Sequence, residues 1–156
     1  MEIQIIAVDD STIAAVSQLH ISSAQSGMVE TVDACFEEAQ QLALWRPIAI
    51  EIDGQLVGFA MYGLWENEGA EGRVWLDRFF IDEHFQGKGY ATLVLPLLFQ
   101  RIFTEYARKE LYLSVYESNA AAIRLYQKLG FSFNGETDIN GEKVMLRTTN
   151  EQKVGT

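Results

Sequence analysis

The sequence predicts an α/β (α+β) fold in which helices flank one central sheet. Two turn signals, Asp53-Gly54 and Asn140-Gly141, each separate a pair of apolar runs, which is typical of antiparallel hairpins. Between them, the glycine-containing turn of residues 86–89 precedes apolar residues at steps of three and four, which predicts an amphipathic helix. This order fits an antiparallel meander followed by a β-α-β-α-β-β ending.

The first half of the chain predicts two helices and three strands. Asp9-Asp10-Ser11 offers cap residues for a helix over residues 11–20. Thr31 or Asp33 can cap a second helix over residues 32–44, and Pro47 follows it at the usual distance. The strands are expected over residues 3–8, 48–52 and 55–64. Gly58 and Gly63 interrupt the third strand, which indicates bulges or a close approach by another group.

The second half predicts two more helices, which gives about four in all, and completes a mixed, mostly antiparallel twisted sheet of six to seven strands. Pro96 lies inside the first of these helices and predicts a kink near Thr92. Asn119 can cap the next helix, which would run to Leu129 with Gly130 at its C′ position. Strands are expected over residues 74–82, 111–116, 131–138 and 143–148. The helix after the turn has one apolar face, formed by Ala91, Val94, Leu95, Leu98, Ile102 and Tyr106.

Length and composition indicate one domain over residues 1–149 with a C-terminal tail over 150–156. The chain has 156 residues, of which 48% are hydrophobic and 22% are charged, values that are typical of a globular protein with its own core. The apolar runs are too short to span a bilayer, and Met1-Glu2-Ile3 does not begin a signal peptide, so we expect a cytoplasmic protein.

The net charge of −10 is unevenly distributed along the chain. Residues 1–72 have a charge balance of −11 and residues 73–156 a balance of +1. The acidic half suits a cationic ligand, although a solubilising surface explains it equally simply. No basic stripe exists that would indicate nucleic-acid binding. The single Cys35 and the two histidines, His20 and His84, make a classical metal site improbable.

Residues 74–91 contain the strongest chemical signal in the sequence. An apolar strand is followed by Gln86-Gly87-Lys88-Gly89, and a helix begins directly after this turn. Glycines let a backbone approach a ligand closely, and the free N–H groups of a first helical turn attract anions. Lys88 adds a full positive charge. The spacing matches neither a P-loop nor a dinucleotide-binding fingerprint.

Two segments resemble the hallmark motifs of the GNAT superfamily of N-acetyltransferases. Gln86-x-x-Gly89-x-Ala91 is similar to the superfamily's acetyl-CoA pyrophosphate loop, [Q/R]-x-x-G-x-[G/A]. Residues 119–131 resemble its second hallmark, N-x-x-A-x-x-L-Y-x-K-x-G-F. Both occur in the expected order after the expected strands, and the likeness covers nearly the whole chain. Three further segments, residues 57–64, 73–82 and 133–145, resemble the bacterial spermine/spermidine (diamine) N-acetyltransferases within this superfamily.

The resemblance implies acetyl-CoA as co-substrate, a polyamine as acceptor and a homodimer. Asn119 and Tyr126 match residues that face the pantetheine and the sulfur. The strand residues Phe79, Phe80 and Ile81 match those whose backbone pairs with the pantetheine arm. The pyrophosphate loop would comprise Gln86, Gly87, Lys88, Gly89, Tyr90 and Ala91.

Acetyl transfer to an amine needs a base, an N–H donor for the oxyanion and an acid for the leaving thiolate. Tyr126 suits the acid, since a phenol pKa of about 10 lies near that of a thiol, although a buried aromatic on a helix is the simpler interpretation of its position alone. A backbone N–H near Phe80–Ile81 would suit the oxyanion. Asp77, Asp82 and Glu30 are candidates for the base or for binding the ammonium, and a solvated or ion-paired carboxylate is an equally good explanation of each.

Other residues have weaker functional interpretations. The loop carboxylates Glu66, Glu68 and Glu71 are more simply explained as solvated than as steering a polycation. Trp45 and Trp75 are more simply core residues than cation–π walls. Two alternative functions stay open: the same chemistry on another amine (a protein N-terminus, an amino acid or an aminoglycoside), and a non-catalytic acyl-CoA-binding sensor.

Overall fold

The computed structural model describes residues 1–20 and 31–149. The strands are β1 (Ile3–Ala7), β2 (Trp45–Ile52), β3 (Gln55–Trp65), β4 (Arg73–Ile81), β5 (Glu110–Val115), β6 (Ser132–Thr137) and β7 (Lys143–Thr148). The helices in these residues are α1 (Ile13–Val16), α2 (Val32–Gln41), α3 (Tyr90–Tyr106) and α4 (Ala120–Lys128), with a one-turn 3-10 helix at Glu83–Phe85.

The strands form one mixed sheet, as the sequence predicts. It has seven strands in the order β1-β2-β3-β4-β5-β7-β6. The β1–β2, β2–β3, β5–β7 and β6–β7 pairs are antiparallel, whereas β4 and β5 are parallel, with Trp75 opposite Tyr112. The predicted fold class is therefore confirmed, including the antiparallel meander that precedes the β-α-β ending.

The described chain divides into two compact units. Unit 1 contains the described residues of Met1–Gly63 together with Leu76–Leu95. Unit 2 contains Leu64–Trp75 and the described residues from Pro96 onward. Each has its own buried apolar residues: Ile48, Ile50, Phe59, Met61 and Phe80 in unit 1, and Leu98, Phe99, Ile102, Leu111 and Met145 in unit 2.

In unit 1, the β2–β3 hairpin forms at the predicted turn. Asp53 and Gly54 have φ values of 52° and 83°. Positive φ at both central residues is the type I′ conformation, which Asp-Gly favours. Gly58 lies opposite Ile50 where the β2–β3 register shifts. A Cβ built on Gly58 would lie 2.7 Å from the Phe80 carbonyl oxygen, so close approach explains this glycine.

The first predicted helix is much shorter in the structure. Only Ile13–Val16 is helical, because after Val16 the chain changes to i→i−3 hydrogen bonds, from Gln18 N–H to Ala15 O and from Leu19 N–H to Val16 O. Before the helix, residues 9–12 satisfy their polar groups in a local turn. Asp9 Oδ1 accepts the Ser11 N–H at 2.9 Å, and Thr12 Oγ1 accepts the Asp9 N–H at 2.8 Å. The prediction that this helix spans residues 11–20 is therefore wrong.

The second helix begins where predicted but ends earlier. Thr31 Oγ1 accepts the Ala34 N–H at 3.1 Å, so Thr31 is the cap. The helix ends at Gln41, because Leu42 is already extended. Pro47 lies inside β2 rather than in the connection. The sheet tolerates it because β1 pairs only as far as Ile48, so no ladder bond from Pro47 N is needed there.

In unit 2, both ends of α4 have the predicted chemistry. Asn119 Oδ1 accepts the Ala122 N–H at 3.2 Å. At the other end, Gly130 N–H donates to Gln127 O at 3.1 Å and Phe131 N–H donates to Tyr126 O at 2.9 Å. These two bonds form a Schellman motif, and Gly130 has the positive φ, 101°, that the motif requires.

The β6–β7 hairpin exists, but its turn is not the predicted type I′. That turn needs positive φ at both central residues, and of Asn140 and Gly141 only Gly141 has it, at 82°. Asp138 N–H instead donates to Glu142 O at 2.8 Å, and Gly141 N–H donates to Asp138 O at 3.0 Å. The Asp138 carboxylate accepts two further N–H groups and so stabilises this longer turn.

Helix α3 is continuous through Pro96. The proline lies on the exposed face, while Val94, Leu95 and Leu98 are buried. The kink near Thr92 stays a prediction.

Candidate functional site

The segment between β4 and α3 in unit 1, residues 82–89, is the candidate anion-binding loop. Gly87 and Gly89 have φ values of 81° and 78°, which L side chains rarely adopt. Among the described residues, no atom lies within 4 Å of a Cβ built on either glycine. Open space beside a glycine backbone of positive φ allows a ligand to approach that backbone closely.

The start of α3 supplies the donors for such a ligand. The helix begins at Tyr90, directly after Gly89, and the first N–H groups of a helix have no intrahelical acceptor. Lys88 is exposed beside them. Together with the helix dipole, these groups favour a phosphate-bearing ligand.

Two contacts hold the loop to its surroundings. Gln86 Nε2 donates to the Ile81 carbonyl oxygen at 2.9 Å, so the side chain of the first motif residue binds the end of β4. The rings of Phe85 and Tyr90 stack, with their centroids 6.4 Å apart. Gln86, Tyr90 and Ala91 are thus on or beside the loop, as the motif predicts.

The β4 residues matched to the pantetheine-binding strand precede this loop. Phe80 is 1% exposed and lies 6.0 Å from Phe59 between ring centroids. Ile81 is also buried, and Phe79 is partly exposed. Buried side chains fix the position of this strand, which makes its backbone a stable surface for a ligand.

Asp82 is a buried carboxylate at the end of β4. Its side chain Oδ2 accepts the His20 N–H at 2.7 Å, and its Oδ1 accepts the His84 N–H at 2.8 Å. His84 Nδ1 lies 2.9 Å from the same Oδ1. Burial alone would raise the pKa of Asp82, but the hydrogen bonds from His20 and His84 outweigh it, so this pKa lies below its ordinary value.

The other two candidate bases have different settings. Asp77 Oδ2 lies 2.6 Å from Arg78 Nη1, and its side chain is 25% exposed. The ion pair with Arg78 is thus present, as the simpler interpretation of Asp77 expects. Glu30 lies outside the residues that the structure describes.

Tyr126 and Asn119 belong to unit 2. Tyr126 is buried on α4, and its ring contacts Phe131 at 5.7 Å between centroids. Burial raises the pKa of Tyr126, so its hydroxyl stays protonated throughout the neutral range. Asn119 is the N-cap of α4, so its structural role is present whatever else it does.

One of the loop carboxylates, Glu68, binds one of the tryptophans, Trp75. Glu68 Oε1 accepts the Trp75 indole N–H at 2.6 Å, so Glu68 is not simply a solvated charge. The Trp75 ring lies 5.4 Å from that of Tyr112. Trp45 is buried, which agrees with its interpretation as a core residue, and Cys35 is buried as well.

The contacts of His20 and His84 with Asp82 were not predicted. The ring centroids of His20 and His84 lie 5.6 Å apart, although the two residues are distant in sequence. The only sequence signal is local: an aspartate two residues before His84 can cap a short turn.

The described residues contain neither a ligand cluster for a metal ion nor a helix suited to cross a membrane. No group of three or more His, Cys, Asp or Glu there is arranged to hold a metal ion. None of the helices in that part of the chain has the length and apolar character needed to cross a membrane.

The mixed sheet and the glycine loop at the start of α3 define a protein built to hold a phosphate-bearing ligand beside a strand end. The chain belongs to the acetyltransferase (GNAT) family, whose model matches residues 13–131. The resemblance read from the two motifs is therefore confirmed.

Three known proteins illustrate this similarity. The chain is 48% identical over 150 residues to the spermine/spermidine N(1)-acetyltransferase of Bacillus subtilis (strain 168), covering 94% of this chain and 99% of that protein. It has the same identity and coverage with the probable spermine N(1)-acetyltransferase of Bacillus subtilis subsp. natto. The aminoglycoside acetyltransferase AAC(6')-Ib, solved with coenzyme A, has the same fold, with a TM-score of 0.78 at 19% identity, covering 98% of each chain.

Proposed function

We propose that this protein is an acetyl-CoA-dependent N-acetyltransferase that acetylates a primary amine of a polyamine such as spermine or spermidine. The observation that carries this proposal is the 48% identity to a spermine/spermidine N(1)-acetyltransferase over nearly the full length of both chains. The charge balance of −11 in residues 1–72 supports a polycationic acceptor.

Acetyl-CoA is the proposed co-substrate. The loop of residues 86–91 fits its pyrophosphate, because Gly87 and Gly89 leave open space beside a positive-φ backbone and Lys88 supplies a charge. The backbone of Phe79, Phe80 and Ile81 would pair with the pantetheine arm, and Asn119 would contact the same arm. A backbone N–H near Phe80–Ile81 would donate to the oxyanion.

We propose that Tyr126 is the general acid in a direct transfer within a ternary complex. The amine would first lose a proton to a base, and its nitrogen would then form a bond to the acetyl carbon. As the tetrahedral intermediate breaks its C–S bond, the Tyr126 hydroxyl would donate a proton to the leaving sulfur of CoA and later regain one from water. The support for this role is the place of Tyr126 in the family motif. Burial raises the pKa of Tyr126 away from that of a thiol, so proton donation requires the bound ligand to change the surroundings of the hydroxyl.

Asp77 is the best described candidate for the base or the ammonium-binding group. Its side chain is a quarter exposed, so water and a cation have access to it. Asp82 is a weaker candidate, because it is buried and accepts hydrogen bonds from two backbone N–H groups. Glu30 stays a candidate from the sequence alone.

The remaining parts of the proposal concern assembly and location. We propose a homodimer that works in the cytoplasm, as the family resemblance and the sequence led us to expect. We also propose that residues 1–149 act as one domain. Neither a metal nor a nucleic acid has a part in this scheme.

The test is CoA release from acetyl-CoA with spermine, spermidine, putrescine, lysine, an aminoglycoside and a short peptide offered separately. Turnover is expected to increase with the length and charge of the polyamine, because the acceptor site would be acidic. Turnover with lysine, the peptide or the aminoglycoside alone would move the reaction to another amine. Binding of acetyl-CoA without turnover on any amine would favour a sensor.

A further inference from the structure

We propose that Asp82 is a positioning residue for acetyl-CoA: its carboxylate holds the loop between β4 and α3 in the conformation that binds the pyrophosphate. This inference rests on the proposed function and deepens it. It assigns Asp82 a role distinct from that of a base, and it concerns the affinity for the co-substrate rather than the chemical step.

The Asp82 carboxylate accepts hydrogen bonds from backbone N–H groups on two segments of the chain. One oxygen accepts the N–H of His20, and the other accepts the N–H of His84, at 2.7 and 2.8 Å. In addition, Glu83 N–H donates to the His20 carbonyl oxygen at 2.9 Å. His20 and residues 82–84 are therefore joined by two reciprocal hydrogen bonds, and the Asp82 carboxylate accepts one of them.

The Asp82 side chain is also buried. Asp82 is 4% exposed, and it is the only polar or charged residue among the described residues that is counted as buried. A buried carboxylate is costly unless several donors satisfy it, so its position is strongly determined by these donors. Its own N–H donates to the Val57 carbonyl oxygen at 2.7 Å, which fixes the backbone on the β3 side as well.

Asp82 lies only a short distance in sequence before the glycines of the loop, Gly87 and Gly89. Asp82 is the N-cap of the one-turn 3-10 helix Glu83–Phe85, and Gly87 follows two residues after that helix. Gln86 closes the same segment by donating to Ile81 O at 2.9 Å. Residues 82–86 are thus held by hydrogen bonds directly before Gly87. In this proposal these bonds orient the N–H groups of the loop before a ligand arrives, which reduces the entropic cost of binding.

The test compares Asp82→Asn and Asp82→Ala with Asp138→Asn and Asp138→Ala. Asp138 is a matched control, because its carboxylate also accepts two backbone N–H groups, those of Asn140 and Glu142, each at 2.9 Å, but it closes the β6–β7 turn of unit 2. The Kd of CoA is measured by calorimetry, which requires no amine. The KM for acetyl-CoA and the kcat are measured with the best amine, and circular dichroism reports folding and Tm.

We expect Asp82→Ala to raise the Kd of CoA and the KM for acetyl-CoA by about tenfold or more, with kcat at saturation changed much less. Asp82→Asn keeps one acceptor oxygen and should give a smaller increase. The Asp138 variants should lower Tm without changing the Kd. If Asp82→Ala does not fold, the comparison of the two asparagine variants decides.

Two results would overturn the inference. One is an unchanged Kd for CoA in Asp82→Asn with a large fall in kcat, which would make Asp82 a participant in the chemistry. The other is an equal change of Kd in the Asp82 and Asp138 variants, which would reduce the effect to general destabilisation. Failure of the wild-type protein to bind CoA would overturn the proposed function itself, whereas CoA binding without polyamine turnover would leave this inference standing.

Discussion

The two motif segments of the chain both contain a glycine with positive φ at a helix end, but their surroundings differ. At Gly89, before α3, no described atom lies within 4 Å of where a Cβ would be. At Gly130, after α4, the added Cβ would lie 3.4 Å from Arg147 Nε, and the neighbouring backbone groups are used in a Schellman motif. The hydrogen bonds of its own helix therefore explain Gly130, whereas the backbone at Gly89 stays open to a ligand.

This difference shows two separate reasons for a glycine in the two motifs. A helix C-terminus needs a glycine to close its own hydrogen bonds, and here it also brings Phe131 against Tyr126. A helix N-terminus with open space next to it keeps its donors available to a ligand. The following predictions test this division.

The largest effect is expected for Tyr126→Phe, which removes a hydroxyl from the second motif segment, on α4. If this hydroxyl is the general acid, kcat should fall by roughly a hundredfold, within the usual range for acid catalysis. The ring still packs on Phe131, so the Kd of CoA and the Tm should change little. Steady-state kinetics and calorimetry measure both. An unchanged kcat would return Tyr126 to a purely structural role.

The second prediction compares Gly89→Ala with Gly130→Ala. Both place a Cβ on a positive-φ residue, so each should cost about 1–2 kcal/mol of unfolding free energy. Only Gly89→Ala should also raise the Kd of CoA, by about tenfold, because its Cβ would project into the space proposed for the pyrophosphate. Denaturant unfolding and calorimetry measure the two effects independently.

An equal loss of CoA affinity in both variants would contradict the division between the two segments. It would mean that affinity follows stability wherever the strain is introduced. An unchanged affinity in both would remove Gly89 from the ligand site.

The smallest effect concerns the C-terminus of α3, which resembles that of α4 but lacks the glycine. Ala107 N–H donates to Thr104 O and Arg108 N–H to Phe103 O, the same pair of bonds as after α4, and Ala107 has a φ of 52°. Ala107→Gly should therefore stabilise the protein by about 0.5–1 kcal/mol. Urea unfolding tests this, and a lower stability would show that the unfolded-chain entropy of glycine outweighs the relief of strain.

The features that could be predicted from the sequence are those that depend on neighbouring residues. Asp53-Gly54 needs only its own φ preferences to form a hairpin, and Asn119 and Gly130 need only the orphan groups of their own helix. The alternation of apolar residues in the strands and their helical spacing in α3 follow from the same local periodicities. The family and the glycine loop could be predicted for the same reason, because their motifs consist of residues that are close in sequence.

The wrong predictions for the first helix and for the last turn both concern competition among local partners. Residues 11–20 had adequate caps for a helix, but after Val16 the N–H groups of Gln18 and Leu19 donate to carbonyl groups only three residues back. Asn140-Gly141 had the composition of a type I′ turn, but Asp138 closed a longer loop around it. A sequence pattern ranks such alternatives only by local conformational preference. The free energies of the alternatives differ by about as much as one hydrogen bond contributes, so the pattern does not decide between them.

The sequence by itself determined the family, the sheet with its helices, and the residue types at the start of α3, because each follows from short-range spacing and backbone geometry. Only the tertiary structure decided that Asp82 accepts the N–H of His20, which is 62 positions away, and that Gly58 lies against the Phe80 carbonyl. Contacts of this kind form between segments that the chain brings together only on folding. The physical reason is that burial and donor supply at such a point depend on every element packed around it, and no local pattern carries that information.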